Sequence, residues 1–395
     1  MSDAPLISSL MLQGVQRLVE RVTMESKPWF PGLDGVIADE TAISAIDREI
    51  QYRGYPLSEL ASQASFVEVA YLLLHGELPS GDFLADYQSI LFESSDVPAS
   101  VLQMLDDLPM HVDMTDALRS AVSLLGHHDQ QMADVNRNAI VQKSTRLLAQ
   151  LPVIIAARHR QQMGCQPVQP DHRYSYIANL LQMITGVLPN EKQERALEAL
   201  FILYAEHGFN PSTYTARLVA STGADYHSAV TAAIGSIKGP LHGGMRSRVI
   251  EILDEVQHVD RAEKWVERAS LQRRPVPGFG HHMHLQGDPR ARLLRCHCRQ
   301  LAELTGQKEL EERADAIRHA VAEHYGLLAH LNWPAARLLH YLDIPPDLFA
   351  PLFIISRLTG WSAHVIEQQE IRRPIRPCSR YNGPQPRPFI PLGER

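Results

Sequence analysis

The side chains best suited to acid–base and anion chemistry sit in short stretches bracketed by glycine and proline. "KGPLHGG" places His242 after Pro240 and before Gly243 and Gly244, so backbone and imidazole can approach a ligand closely. "AEHGFNPSTYTAR" supplies His207, and "GFGHHMHLQGDPR" supplies His281 and, further on, Arg290. Arg357 lies in "SRLTGW" and Arg376 in "IRP". A neutral imidazole can donate to a carbonyl oxygen or accept its proton. Three guanidiniums can clamp a dicarboxylate bidentately. Any one of these residues alone would be an ordinary core or surface side chain. Several in broken loops point to a carboxylate substrate handled by histidines.

Other chemistries fit less well. "GFGHHM" starts like a dinucleotide-binding loop, but Met283 stands where a third glycine is needed and no strand precedes it. No P-loop and no G-x-S-x-G elbow occur. His281, His282 and His284 lack a partner set at metal-ligand spacing, so no metal is expected. In "RCHCRQ", Cys296 and Cys298 flank His297, but i and i+2 positions on a helix point apart. With Cys165 and Cys378 they make four cysteines, expected to be reduced and unpaired.

Helical periodicity must position these loops. Phe66, Val69, Ala70, Leu73 and Leu74 share one face, with Gly76 as the stop. Val249, Ile252, Leu253 and Val256 repeat the pattern. Leu348, Leu352, Ile355 and Thr359 form a further stripe, beside which Gly360, Ser362 and Ala363 permit close helix packing. Strand-like alternation is confined to the surroundings of "GVIADETAISAID", so the class is mainly α. The loops near 239–244 and 275–289 read as the walls of a cleft between two helical bodies. The 395-residue chain is 45% hydrophobic and 21% charged, with a formal net charge of −7 and scattered basic residues. That balance argues against a nucleic-acid surface or a polybasic membrane anchor. No apolar run of about 18 residues is evident, and "MSDAPLISSLMLQG" lacks signal-peptide organisation, so a cytoplasmic location is expected. The proline- and arginine-rich tail from Ile371 cannot continue a helix. Its interleaved Tyr381, Phe389 and Ile390 suit an extended arm lying on a neighbouring subunit.

"YRGYPLSEL", "FVEVAYLLLHGELP", "AEHGFNPSTYTAR", "KGPLHGG", "GFGH…GDPRA", "DLFAPLFIISRLTGWSAH" and "IRPCSRYNGPQPRPFIPL" occur in the order found in the citrate synthase family, from about residue 32 to the C-terminus. Tyr204 and the closing "RPFIPL" look more like its 2-methylcitrate synthase branch. The resemblance implies a helical homodimer: a large domain of residues 1–235 and 341–395, a small domain of 236–340, and the active site in the cleft between them. It implies condensation of propionyl-CoA or acetyl-CoA with oxaloacetate, the coenzyme A thioester being a substrate, with no metal or redox cofactor. His242 would stabilise the thioester enol or enolate, and His281 would polarise the keto carbonyl. His207, Arg290 and Arg357 would hold carboxylates, and Arg376 would reach in from the partner subunit. Arg273, Arg274, Val276, Pro277 and Gly278 would contact coenzyme A, although Arg273 and Arg274 also suit a solvated basic pair.

One position departs from the family pattern. The segment "HLNWPAARLLHYLDIPPDLF" puts Asn332 where the family carries the aspartate that removes the acyl α-proton. Asp343 is no substitute, because it aligns with the glycine of the family's "G-I-P". An amide has no basic lone pair near neutrality, and a general base is worth about 10²–10⁴ in rate. Three readings follow: condensation with another base, acyl-CoA chemistry without proton abstraction (decarboxylative condensation or cleavage), or a non-enzymatic carboxylate-binding paralogue. "HHMHL" and "HVDMTDALR" also depart from the family's usual segments and bear on the coenzyme A contacts.

Overall fold

The structure is a computed structural model that describes residues 29–33, 35–46, 49–242, 248–280 and 287–395. Among these the chain forms sixteen α-helices. They are α1 Leu57–Gln63, α2 Phe66–His75, α3 Gly81–Glu93, α4 Ala99–Asp107, α5 Met114–His127, α6 Arg137–Gln162, α7 Tyr176–Thr185 and α8 Glu191–Tyr204. There follow α9 Pro211–Ala220, α10 Tyr226–Lys238, α11 Arg248–Val256, α12 Ala262–Leu271, α13 Pro289–Leu304, α14 Lys308–Tyr325, α15 Asn332–Tyr341 and α16 Phe349–Ile371. The expected mainly α class is borne out. The β content is a small antiparallel meander, β1 Ser44–Ala45, β2 Gln51–Tyr52 and β3 Tyr55–Pro56, paired in sequence order.

Residues Thr41–Pro374 form one compact unit. The described residues before Thr41 group with Ile375–Arg395 in a second. In that second unit the Arg380 guanidinium lies 4.7 Å from the Trp29 ring centroid. Its tail is extended and exposed, apart from a 3-10 turn at Leu392–Glu394.

Local signals define the helix ends. Ser65 and Glu68 make a reciprocal capping box at the start of α2, and Gly76 ends it in the left-handed conformation, as its position suggests. The apolar periods in α2 and α11 are buried, and in α13 Cys298 is buried while Cys296 is exposed. Cys165, Cys296 and Cys298 form no disulfide, and no metal-ligand grouping occurs among the described residues.

The stripe expected on α16 is too narrow a description. From Phe349 to Ile366 every residue but Ala350 is buried, because α2, α6, α8, α9 and α10 all pack around this helix. Together with the turn before it, α16 is also apolar and long enough to cross a membrane, which the sequence reading did not anticipate. Its burial among the other helices identifies it as the core helix. A Cβ on Gly360 would stand 2.3 Å from the Ala205 carbonyl oxygen and 2.5 Å from Glu206 Oε2. The helix therefore lies directly against the 205–206 backbone, the close packing expected of "GWSA". Two residues on, Ser362 Oγ meets Ser144 Oγ of α6 at 2.8 Å and Tyr226 Oη of α10 at 2.7 Å. This leaves no polar side chain stranded where three helices cross.

Two stability predictions follow. Gly360→Ala should cost about 1–3 kcal/mol by overpacking, whereas Gly81→Ala, with open space around it, should be neutral or stabilising by up to about 1 kcal/mol. Chemical denaturation of both variants checks the contrast. Glu198 of α8 accepts the Phe66 N–H at the start of α2, and burial pushes its carboxyl up to about 7. Its folded pKa exceeds its unfolded value, so the contribution is present below the unfolded pKa and lost as pH rises through about 7. Glu198→Gln should therefore gain stability relative to the unaltered chain between acid and mildly alkaline pH, read from melting midpoints.

Candidate active site

The core of the site is an aspartate that opens a helix. Asp288 caps α13, with Pro289 in the first helical position and Arg290 next. Asp288 Oδ1 accepts from the Arg290 backbone N–H and from Nε, both at 3.0 Å, while Oδ2 accepts from Arg290 Nη2 at 2.9 Å. Oδ2 also accepts the Leu331 N–H at 3.0 Å, immediately before α15. Both side chains of the pair are buried. Burial works against the Arg290 charge, but Asp288 outweighs it and holds the guanidinium pKa above its ordinary value. Arg290 Nη2 lies 3.2 Å from His207 Nε2, while Nη1 has no hydrogen-bond partner among the described residues.

His207 sits on the turn between α8 and α9. Gly208 follows with φ +58, and its missing Cβ would stand 2.4 Å from Ile46 Cδ1, so glycine is favoured there. Asn210 then caps α9 by accepting the Ser212 and Thr213 N–H groups. The turn is tied from beneath by Glu206, fully buried, whose Oε1 accepts from Ser44 Oγ, the Gly208 N–H and His364 Nε2. Burial would raise this carboxyl's pKa, yet His364 and the Arg357 charge hold it below the ordinary value.

Arg357, buried on α16, donates from Nε to the Tyr204 carbonyl at 2.6 Å and lies over the Phe353 ring at 4.7 Å. Tyr204 packs edge-on against Phe353 and directs Oη towards Asn332 Oδ1 at 3.4 Å. Tyr52, fully buried, donates to the Ile202 and Glu206 carbonyls. Burial raises its phenol pKa, while Arg290 and Arg357 both act on it in the opposite sense. Asn332 opens α15, and the chain before it is laid against the 278–280 strand-like segment. His330 N–H donates to Gly278 O at 2.9 Å and Gly280 N–H to Leu328 O at 3.0 Å, around a bridge between Phe279 and Ala329. Gly278 lies tight on Trp333, with room for no Cβ closer than 3.1 Å.

His242 is reached from another direction. Its Nε2 lies 3.0 Å from Ser212 Oγ at the start of α9, and Trp361 Nε1, one turn past Arg357 on α16, donates to the same oxygen at 3.2 Å.

Of the residues singled out by sequence, His207 and Arg290 touch, and Arg357 and Asn332 meet through Tyr204. His242 joins the same helices through Ser212 and Trp361. His281 lies outside the described residues. Arg376 is exposed and belongs to the separate Ile375–Arg395 unit. Val276, Pro277 and Gly278 are buried. Arg274 is held bidentately by Glu255 at 2.9 and 3.0 Å and stacks over Trp265, while Arg273 is exposed with φ +52. Sequence reasoning passed over Asp288, Ser212, Tyr52 and Glu206. The Asp-Pro opening of a helix in "GDPR" is a readable capping signal. Nothing local marks Tyr52, which acts from the far end of the chain.

Comparison with known proteins gives the family. The family described as citrate synthase, C-terminal domain, matches residues 32–378. "2-Methylcitrate synthase 2" of Corynebacterium glutamicum is 37% identical over 372 residues, covering 92% of this chain and 97% of the relative. "Citrate synthase 2" of Bacillus subtilis is 36% identical over 366 residues, covering 92% and 98%. Among solved structures, the ternary complex of carboxymethyl coenzyme A and oxaloacetate with citrate synthase from Thermoplasma acidophilum superposes with a TM-score of 0.88. That match is at 26% identity over 93% of this chain and all of the other. Citrate synthase from Pyrobaculum aerophilum gives 0.87 at 31% identity, covering 95% and 97%. Family match, full-length relatives and superposed structures agree: this chain belongs to the citrate synthase family.

Proposed function

We propose that the chain condenses propionyl-CoA or acetyl-CoA with oxaloacetate, giving 2-methylcitrate or citrate and free coenzyme A. The observation that carries this reading is the buried Arg290, fixed by Asp288 and touching His207, with the buried Arg357 on the Tyr204 carbonyl and Asn332 across the Tyr204 hydroxyl. Arg290 presents an unengaged Nη1, and Asp288 fixes its plane. A keto-diacid carboxylate fits that edge bidentately. Arg357 and His207 hold the other polar groups, and Arg376 reaches in from a second subunit of a homodimer. The large and small domains, 1–235 with 341–395 and 236–340, close on the substrates in the cytoplasm.

Water or another group in place of the aspartate takes a proton from the acyl-CoA α-carbon, and the resulting enolate attacks the keto carbon, whose oxygen is protonated as the C–C bond forms. Water then cleaves the thioester and releases the thiol. Ser212 Oγ, which accepts from Trp361 Nε1 and donates to Asn210 Oδ1, holds the His242 ring by Nε2. His242 stabilises the developing enolate oxygen. His281 polarises the oxaloacetate carbonyl. Backbone at Val276, Pro277 and Gly278, with Arg273 and Arg274, faces coenzyme A. No metal or redox group takes part in this scheme.

A second reading is favoured by Asn332 itself. Its Oδ1 already accepts from Tyr204, and an amide takes no proton near neutrality. Its amide hydrogens suit a carboxylate instead, as in a malonyl thioester whose loss of carbon dioxide yields the enolate without a base. A third reading, carboxylate binding without catalysis, keeps the arginine seat and discards the thioester.

Free-thiol release from acetyl-, propionyl- and malonyl-CoA in the presence of oxaloacetate separates these. Turnover of propionyl- or acetyl-CoA is expected. Turnover of malonyl-CoA alone selects the second reading, and silence with oxaloacetate binding retained selects the third. Asn332→Asp should raise propionyl-CoA condensation by about 10²–10⁴ if the base is the missing element. An unchanged rate would mean that the carboxylate position is not the limitation.

A further inference from the structure

A cavity of about 380 Å³ opens where the C-terminal ends of α6 and α7 meet the start of α8 and the residues just after α15. It lies within the roughly 300–1,000 Å³ range of small-molecule clefts. The cavity is distinct from the candidate active site. Gln193, which lines it, is in the first turn of α8, and Tyr204 closes the other end of that fourteen-residue helix, about 17 Å away at 1.5 Å per residue.

Leu181, Ile184 and Leu342 are nearly inaccessible and form the apolar lining, whereas Met163, Val187 and Leu188 are 66%, 69% and 41% exposed. Three large apolar side chains left open around one cavity are what an apolar ligand body would cover.

The same cavity is lined by one cation and one anion that do not pair. Arg160 donates from Nε to the Gln166 carbonyl at 2.5 Å and lies across Gly186. Neither its terminal nitrogens nor the Asp343 carboxylate has a side-chain partner among the described residues. Asp343 has φ +56, a left-handed conformation that aspartate tolerates and glycine adopts without strain. His159, also in the lining, has its pKa lowered by burial and by Arg160, leaving it neutral near neutral pH.

We propose that this cavity binds a free apolar α-amino acid, its carboxylate on Arg160, its ammonium on Asp343 and its side chain against Leu181, Ile184 and Leu342. A plain fatty acid would leave Asp343 unanswered as it is desolvated, and an amine would leave Arg160 so. The zwitterion satisfies both.

Isothermal titration of the full chain with L-leucine, L-methionine and L-phenylalanine tests this without acyl-CoA or turnover, so its outcome is independent of the catalytic reading. One of the three should saturate a single site per chain. The matching compounds lacking either the amino or the carboxyl group (4-methylpentanoate and 3-methylbutylamine for leucine) should bind at least about tenfold more weakly. Arg160→Gln and Asp343→Gly should each weaken the amino acid by at least about tenfold. Asp343→Gly suits the left-handed backbone and is expected to fold, so it and the two analogues carry the test even if Arg160→Gln does not. No heat from any of the three at millimolar concentration overturns the proposal. So does an acid or amine that binds as tightly as its amino acid, or binding that both variants leave unchanged.

Discussion

One carboxylate organises the candidate site. Among the described residues Asp288 accepts three hydrogen bonds from Arg290 and one from the backbone N–H just before α15. The opening of α13, the clamp arginine and the approach to Asn332 thus hang from the same two oxygens. Charge-assisted bonds of this kind are roughly twice as strong as neutral ones. Removing one member of a buried pair typically costs about 3–5 kcal/mol. The pair is therefore better understood as a geometric fixture than as a source of stability. It sets the plane of Arg290 and leaves Nη1 unengaged.

The second arginine follows a related logic with looser contact. Arg357 is buried over Phe353 and bonded to the Tyr204 carbonyl, and its charge acts on Glu206 from the other side of the turn. Glu206 in turn ties Ser44, Gly208 and His364, so the turn carrying His207 is anchored to α16 and to β1. Gly360 makes this possible by letting α16 touch that turn. Each cation thus has a buried carboxylate nearby, which offsets the cost of desolvating it. Under the proposed function these two arginines form the seat for the keto-diacid, and Asn332 lies across the Tyr204 hydroxyl from them.

Much of this was legible in the sequence, for identifiable reasons. Helix periods, the Gly76 stop and the close packing at Gly360 are local, and they emerged as expected. His207 and His242 could be singled out because each lies in a glycine-bracketed turn, and Arg290 because it follows the Asp-Pro helix opening, whereas Arg357 stood out as a charge inside an apolar helix. The burial of α16 on every side was under-read, because an amphipathic stripe and an all-round apolar helix share the same spacing over a few turns. Tyr52 and Glu206 were invisible for another reason. Their roles arise from contacts across more than 150 positions, as in the Tyr52 bond to the Glu206 carbonyl. Asp288 was within reach as a cap, but its bond to Leu331 is tertiary and has no local signature.

A crystal structure with oxaloacetate bound tests the central claim most directly. The account predicts one carboxylate on the Nη1 edge of Arg290 with His207 beside it, and the other within reach of Arg357. A keto-diacid bound elsewhere, with both guanidiniums still facing only protein, would contradict it.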